Sequence, residues 1–279
     1  MRCMLQMMTP SIEAAPDAFG GPLRVYDAGA VRYTERPPPK ELAADVECFW
    51  ALRLDSSAES YRHHVLPDLT VDLVSVNGSR VHVMGPPTAA RSLPLAPGLS
   101  VEGARLRAGA ASHVLDCPPA ELLDRKVAIE DVLSAPLDLS SNGSGPALLT
   151  IVPELLRRDD RRAGESTVRS AIAWLFANSQ SSLDDLSRQV SWSDRKLRRR
   201  FVDAVGMGPK LVQRIVRVQR ALHLLRARTG AISLSGLALE CGFADQAHMT
   251  REVAHFTGFT PSRLRSFAHP SELMAADYA

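Results

Sequence analysis

Residues 182–201 read "SLDDLSRQVSWSDRKLRRRF". Leu183, Leu186 and Val190 recur at helical spacing and mark one apolar face. Asp184 and Asp185 fall in the first turn, where the helix dipole favours acids. "SWS" is the turn that follows, and Ser193 suits the N-cap of a second helix that opens on Asp194. Five of the eleven residues from Ser191 to Phe201 are basic. Leu197 and Phe201 interrupt that run four apart and turn toward a core. At about 100° per residue, Arg195, Arg198 and Arg199 fall on the opposite side, with Lys196 at their flank. Arg200 lies about 100° round from Arg199, away from the centre of that face. A basic helix alone reads as solvated surface. Behind a helix, a three-residue turn and a cap, it reads as the second helix of a helix-turn-helix, the element that enters a major groove.

The same layout returns at 233–258, "SLSGLALECGFADQAHMTREVAHFTG". Leu234, Leu237 and Ala238 mark a first helix. Gly242 supplies a permissive turn, and Asp245 can cap the next helix. Met249, Val253 and Phe256 form the inward stripe of that helix, which leaves Gln246, Ala247, His248 and Arg251 outside. Gln can pair with adenine, Arg with guanine, and Ala can touch a thymine methyl. Between the units, Leu211, Ile215, Val218, Leu222 and Leu225 repeat at 4-3-4-3 spacing. They predict one helix from Pro209 to Thr229, 21 residues, or about 31 Å at about 1.5 Å each. One DNA turn is about 34 Å. A helix of that length can hold two reading helices in successive grooves on one face of a duplex.

Charge divides the chain in the same way. Residues 167–268 hold 16 Lys and Arg against 7 Asp and Glu, and the remainder holds 17 against 24. A basic C-terminal half beside an acidic N-terminal half points to a polyanion partner for one half only. Cys3, Cys48, Cys117 and Cys241 are far apart with no CxxC spacing, which disfavours a disulfide scaffold or zinc finger and suits the cytoplasm. No apolar run approaches the ~20 residues of a membrane helix, and the Met-rich start lacks the apolar stretch of a signal peptide.

The N-terminal half has strand and turn signals. "CFWALRL" is β-prone, and "LTVDLVSVNGSRVHVMG" sets Asn77-Gly78 between two alternating Val-rich runs, the mark of a hairpin. "CPPAELLDR" starts a helix with proline in its first turn. The expected class is α+β in two domains: an antiparallel β domain with helices, then an all-α domain of two helix-turn-helix units joined by a long helix. The expected boundaries are a loose lead-in over 1–38, the β domain over 39–136, a linker over 137–165, the DNA-binding domain over 166–268 and a tail over 269–279.

The stretch "LALECGFADQAHMTREVAHFTGFTPSRLR" (237–265) resembles the signature of AraC/XylS-type transcription regulators. Gly242, Phe243, Gly258, Thr260, Pro261 and Arg265 all fall in place. Met249 and Val253 stand where the family often has aromatics, and "VAH" replaces a commonly basic "FKR". The resemblance implies that base-reading residues fall on Arg195, Arg198 and Arg199 in the first unit, and on Gln246, Ala247, His248 and Arg251 in the second. The face analysis adds Lys196 to the DNA-binding set. The resemblance also implies double-stranded DNA as partner, and RNA polymerase if the protein activates.

The N-terminal pieces "ADVECFWALR", "HHVLPDLTVDLV", "VMGP" and "GARLRAGAASHVL" resemble a cupin-like sensor domain attached to such regulators. Leu69 replaces a usual Gly there, and Ala108 a usual Pro. A small-molecule effector and a second copy of the chain are the partners this half adds. Two alternatives stay open: a cupin-like enzyme fused to a DNA-targeting domain, or a regulator that answers only to a protein partner. Neither a cofactor motif nor a Ser/His/Asp arrangement is present, so no enzyme, cofactor or metal is expected. His63, His64 and His82 lack the His-x-His pattern of metal cupins, and adjacent histidines in a strand face opposite ways. Asp68 and Asp72 read as turn and surface residues rather than an acid/base pair, and Arg105 and Arg107, on one strand face, as exposed neighbours rather than an anion site.

Overall fold

The computed structural model describes residues 11–13, 23–27, 30–58, 61–135, 147–157, 165–227 and 233–266. The N-terminal half is built on one antiparallel sheet. Its strands are β1 (Ser11–Glu13), β2 (Leu23–Asp27), β3 (Val31–Arg36), β4 (Val46–Leu54), β6 (Val71–Val76), β7 (Val81–Met84), β9 (Ser100–Leu106) and β10 (Lys126–Ala128). They lie in the order β1-β2-β3-β4-β9-β6-β7-β10. The two remaining strands, β5 (Tyr61–Val65) and β8 (Arg91–Leu95), pair with each other. The β6–β7 hairpin turns at Asn77 and Gly78, both with positive φ (51° and 68°), as the Asn-Gly signal requires.

Strand alternation sends side chains to two layers. On one face Phe49, Leu73, Ala104 and Leu106 pack with three helices: α1 (Ala111–Val114), α2 (Pro119–Leu122) and α3 (Ala147–Arg157). On the other, Tyr33, Leu52, Leu54 and Val101 pack with Tyr61 of β5 and Leu95 of β8. Pro119 occupies the first turn of α2, where its missing N–H costs nothing.

Four expectations change here, Asp68 at the surface among them. Leu23–Asp27 and Val31–Arg36 are strands of the main sheet, not a loose lead-in. Residues 147–157, expected as linker, form α3, whose Leu148, Ile151, Val152 and Leu155 belong to the β-domain core. Arg105 is buried, not exposed, because Asp72 stands directly opposite it in the β6–β9 register. Asp72 accepts from Arg105 Nε and Nη2, each at 3.0 Å, and from Trp50 Nε1 at 3.2 Å. Asp68 lies 4.0 Å from Arg105 and is itself buried, which pushes its carboxyl above the usual range. Trp50 lies across Gly103, where a Cβ would stand 2.0 Å from the indole. Arg107 donates to the Ala43 carbonyl instead.

The C-terminal half is helical: α4 (Glu165–Ala177), α5 (Leu183–Val190), α6 (Asp194–Val205), α7 (Pro209–Ala227), α8 (Leu234–Glu240), α9 (Gln246–Thr257) and α10 (Pro261–Ser266). Leu186, Leu197, Phe201, Ile215, Val218, Leu237, Met249, Val253 and Phe256 join in one core. The stripe read along α7 is therefore its buried face. The helix is seen over 19 residues, about 28 Å at about 1.5 Å each. Residues 228 and 229, the rest of the expected helix, lie outside the described residues.

The two halves touch. α1 and α2 pack on α6, and Gly206 at the end of α6 sits against Pro119 and Ala120. Leu66 and Leu69 of the β domain are buried in the helical core. Arg169 of α4 donates to the carbonyls of Ala44 and Ala108 and lies 3.8 Å from Asp45, which also meets His113 at 3.1 Å.

Candidate nucleic-acid interface

The first unit is α5–turn–α6. Ser182 and Asp185 close a capping box: Ser182 Oγ accepts from the Asp185 N–H, and the Asp185 carboxylate accepts from the Ser182 N–H. This satisfies two backbone donors that the helix start would otherwise leave open. Ser191 takes the left-handed conformation, φ 53°, and turns the chain. Ser193 then caps α6 by accepting from the Lys196 N–H at 3.4 Å. Leu197 and Phe201 are fully buried, so the register of α6 is fixed. That register leaves Arg195, Lys196, Arg198 and Arg199 exposed together. Lys196 Nζ lies 5.5 Å from the Trp192 ring centroid, which anchors its stem at the flank. Arg200 differs from its neighbours. It is half-buried, and its Nε is buried without a hydrogen-bond partner among the described residues.

The second unit is α8–turn–α9. Ser233 caps α8 by accepting from the Gly236 N–H at 3.0 Å. Gly242 has φ +79°, and a Cβ there would stand 2.2 Å from the Ser179 carbonyl oxygen, so the turn needs glycine twice over. Asp245 caps α9 through the His248 N–H at 2.6 Å. Met249, Val253 and Phe256 face inward; Gln246, Ala247 and Arg251 are exposed.

His248 is half-buried. Its Nδ1 accepts from the Ala244 N–H at 3.3 Å, and its ring meets Phe243 edge-on at 5.5 Å. An accepting Nδ1 puts the proton of the neutral ring on Nε2. The side chain therefore keeps a donor at Nε2 while its other nitrogen holds the turn.

Two arginines outside both exposed faces brace the arrangement, with no local sign in the sequence. Arg214 of α7 pairs with Glu252 of α9, 38 residues away, and its guanidinium lies 5.0 Å from the Phe256 ring centroid. The hydrogen bond from Arg214 holds the Glu252 carboxyl below its usual range. Arg217 donates to the carbonyls of Ser179 and Ser181 in the loop before α5. Long-range pairs of this kind have no periodicity to betray them.

Among the described residues, no group of three or more His, Cys, Asp or Glu is placed to hold a metal ion. Nor is any described helix long and apolar enough to cross a membrane.

The family described as "Helix-turn-helix domain" matches residues 186–266, and one described as "Domain of unknown function (DUF6597)" matches residues 34–128. The chain is similar to the HTH-type transcriptional activator RhaR of Salmonella dublin, 29% identical over 132 residues that make up 46% of each chain. The RhaR of Salmonella arizonae is 28% identical over the same length. The chain thus spans about half the length of the curated relatives it matches, 46%. Among solved structures it is similar to a transcriptional regulator with an AraC-type DNA-binding domain from Chromobacterium violaceum, at 28% identity, 38% of this chain, 95% of that chain and a TM-score of 0.35. It is also similar to ToxT from Vibrio cholerae, at 10% identity, 82% of this chain, 98% of that chain and a TM-score of 0.43.

Proposed function

From a chain whose C-terminal helices form an AraC-type helix-turn-helix domain, we infer a sequence-specific DNA-binding transcription regulator. The observation that carries this reading is the exposed basic face of α6. Arg195, Lys196, Arg198 and Arg199 stand free of the core on a capped second helix whose Leu197 and Phe201 are locked inside. A basic helix presented in that way can enter a major groove and meet phosphates on either side. Arg195, Arg198 and Arg199 are assigned to base edges, and Lys196 to the phosphate backbone. In the second unit, Gln246, Ala247 and Arg251 are assigned to base edges, and His248 to an acceptor such as a guanine edge or a phosphate oxygen.

The β domain is read as the sensing half, with a small-molecule effector or a second copy of the chain as its partner. RNA polymerase joins the partners if the protein activates. The curated relatives are transcriptional activators by name, which supports a regulator rather than an enzyme and a place in the cytoplasm.

The test is binding of the full chain to duplexes selected from a random pool, titrated across salt. Affinity should fall steeply, with a log–log slope of about −0.9 per phosphate neutralised. Binding that ignores salt, or none at low salt, overturns the reading.

A further inference from the structure

The loop between β5 and β6, Leu66 to Thr70, is buried at every residue. Connecting loops ordinarily run over the surface, because their backbone polar groups need water. This one is covered from both sides. Toward the β domain, Asp68 lies 4.0 Å from Arg105, inside the ion cluster that Asp72 completes. Asp68 Oδ1 also accepts from the N–H of Thr70 at 3.1 Å and from its hydroxyl at 2.7 Å, which fixes the loop's exit. Toward the helical half, Leu66 and Leu69 are each 2% exposed and belong to the core beneath the reading helices. Gln219 of α7 donates to the Pro67 carbonyl, and the His64 ring just before the loop meets Phe259, between α9 and α10, at 5.9 Å.

Leu69 makes this more than simple packing. Its φ is +64°, in the left-handed region that disfavours every side chain. A glycine would relieve that backbone. Leucine places an isobutyl group in the helical core instead, so the conformation is held by contacts on both sides of it. Five residues therefore have one carboxylate in the ion cluster of one half and two leucines in the core of the other.

We propose that Leu66–Thr70 is a positioning loop that couples the Asp68–Arg105–Asp72 cluster of the β domain to the helical core that orients α6 and α9. A change at the cluster moves Asp68. Asp68 sets the backbone at Leu69, and Leu69 shifts against the core that carries the DNA-reading helices. The effect on DNA rests on the function proposed above; the mechanical coupling does not.

The experiment is hydrogen exchange by mass spectrometry on the full chain, with DNA affinity measured in parallel. Asp68→Asn keeps the shape of the side chain and removes its charge, and residue 68 makes its hydrogen bonds and ion contact within its own half. It should raise exchange several-fold in peptides from 209–227 and 246–266, and it should change DNA affinity. Leu69→Gly removes the staple, so adding Asp68→Asn to it should leave those helical peptides unchanged. Exchange that rises only within 61–106, or a full Asp68→Asn effect on the helices in the Leu69→Gly background, overturns the proposal. If Asp68→Asn unfolds the β domain, seen as loss of the near-ultraviolet Trp50 signal, Thr70→Val makes the same test more gently by the same two criteria. If no variant and no wild type binds DNA, the proposed function fails while the exchange pattern still decides the coupling.

Discussion

Arg214 on α7 and Glu252 on α9 meet in a two-pronged ion pair, Nε to Oε2 at 2.7 Å and Nη2 to Oε1 at 2.9 Å. It fixes α9, the second helix of the second unit, against the helix that joins the two units. Arg214 is partly exposed, so solvent weakens the pair; Arg214→Ala should cost about 1 kcal/mol. The pH dependence has a definite sign. Glu252 is held below its usual range by Arg214, so its contribution is complete above the unfolded value of about 4.3 and is lost as pH falls through the folded value. Between about pH 5 and pH 3 the wild type should lose more stability than Glu252→Gln. Urea unfolding at several pH values measures this, and equal losses would count against the pair.

Arg195, Arg198 and Arg199 should separate from Arg200, although one basic run holds all four. Alanine at any of the first three should cost ~1–3 kcal/mol on the selected site and relax preference at one base position. Arg200→Ala should lower the melting temperature, since that side chain is half-buried, and weaken all sequences evenly. Each mutant is titrated on selected and scrambled duplexes at fixed salt. Four equal losses on both duplexes would make α6 an electrostatic anchor only.

Gly206→Ala and Gly78→Ala form a matched pair. Both glycines have positive φ, +76° and +68°. Around Gly78 a Cβ meets nothing within 4 Å, so alanine should cost only the conformational penalty, about 1 kcal/mol. At Gly206 the same Cβ would stand 2.7 Å from the Pro119 carbonyl carbon and oxygen. That substitution should cost distinctly more and loosen the contact between α6 and α2. Thermal unfolding of the two variants compares them; equal shifts would mean that the contact yields easily.

Of Cys48, Cys117 and Cys241, only Cys117 should react with iodoacetamide in the native state. Cys48 and Cys241 are buried, and burial pushes the Cys48 thiol far above its usual range. Cys117 is partly exposed, though burial and Glu121 raise its thiol as well, so it should react slowly. Peptide mapping after timed alkylation gives the order. Early labelling of Cys48 would mean that the sheet opens there.

The helical half was legible because its signals are local. Caps, turns and stripes such as Met249–Val253–Phe256 lie within a few residues of each other, and burial follows them. The β half hid its signals in pairing. Strand β3 carries Glu35 at an inward position beside Val31 and Tyr33, which spoils the apolar alternation. Tyr33 resolves the conflict by donating its hydroxyl to Glu35 at 3.0 Å. Arg105 misled for the same reason. Its partners come from residues 33 and 37 positions earlier: the β6–β9 register sets Asp72 opposite it, and the loop before β6 brings Asp68 near. On the outward faces of α6 and α9, periodicity foretells the exposure of Arg195, Lys196, Arg198, Arg199, Gln246, Ala247 and Arg251. The turn-holding bond of His248 was not, because a side chain's second hydrogen bond leaves no trace in spacing.

The 19-residue α7 gives the molecule a sense of direction. It separates the two helices proposed to read DNA, whose outward side chains differ, arginine-rich on α6 and mixed Gln, Ala, His and Arg on α9. A pair of identical subunits reads a palindrome, which looks the same from either end. A single chain with unlike heads on a helical spacer would read a sentence with a beginning and an end. The stretch of DNA met by one chain should therefore lack two-fold symmetry, whether or not a second copy joins through the β domain, and turning that stretch around should point the β domain of that chain the other way along the duplex.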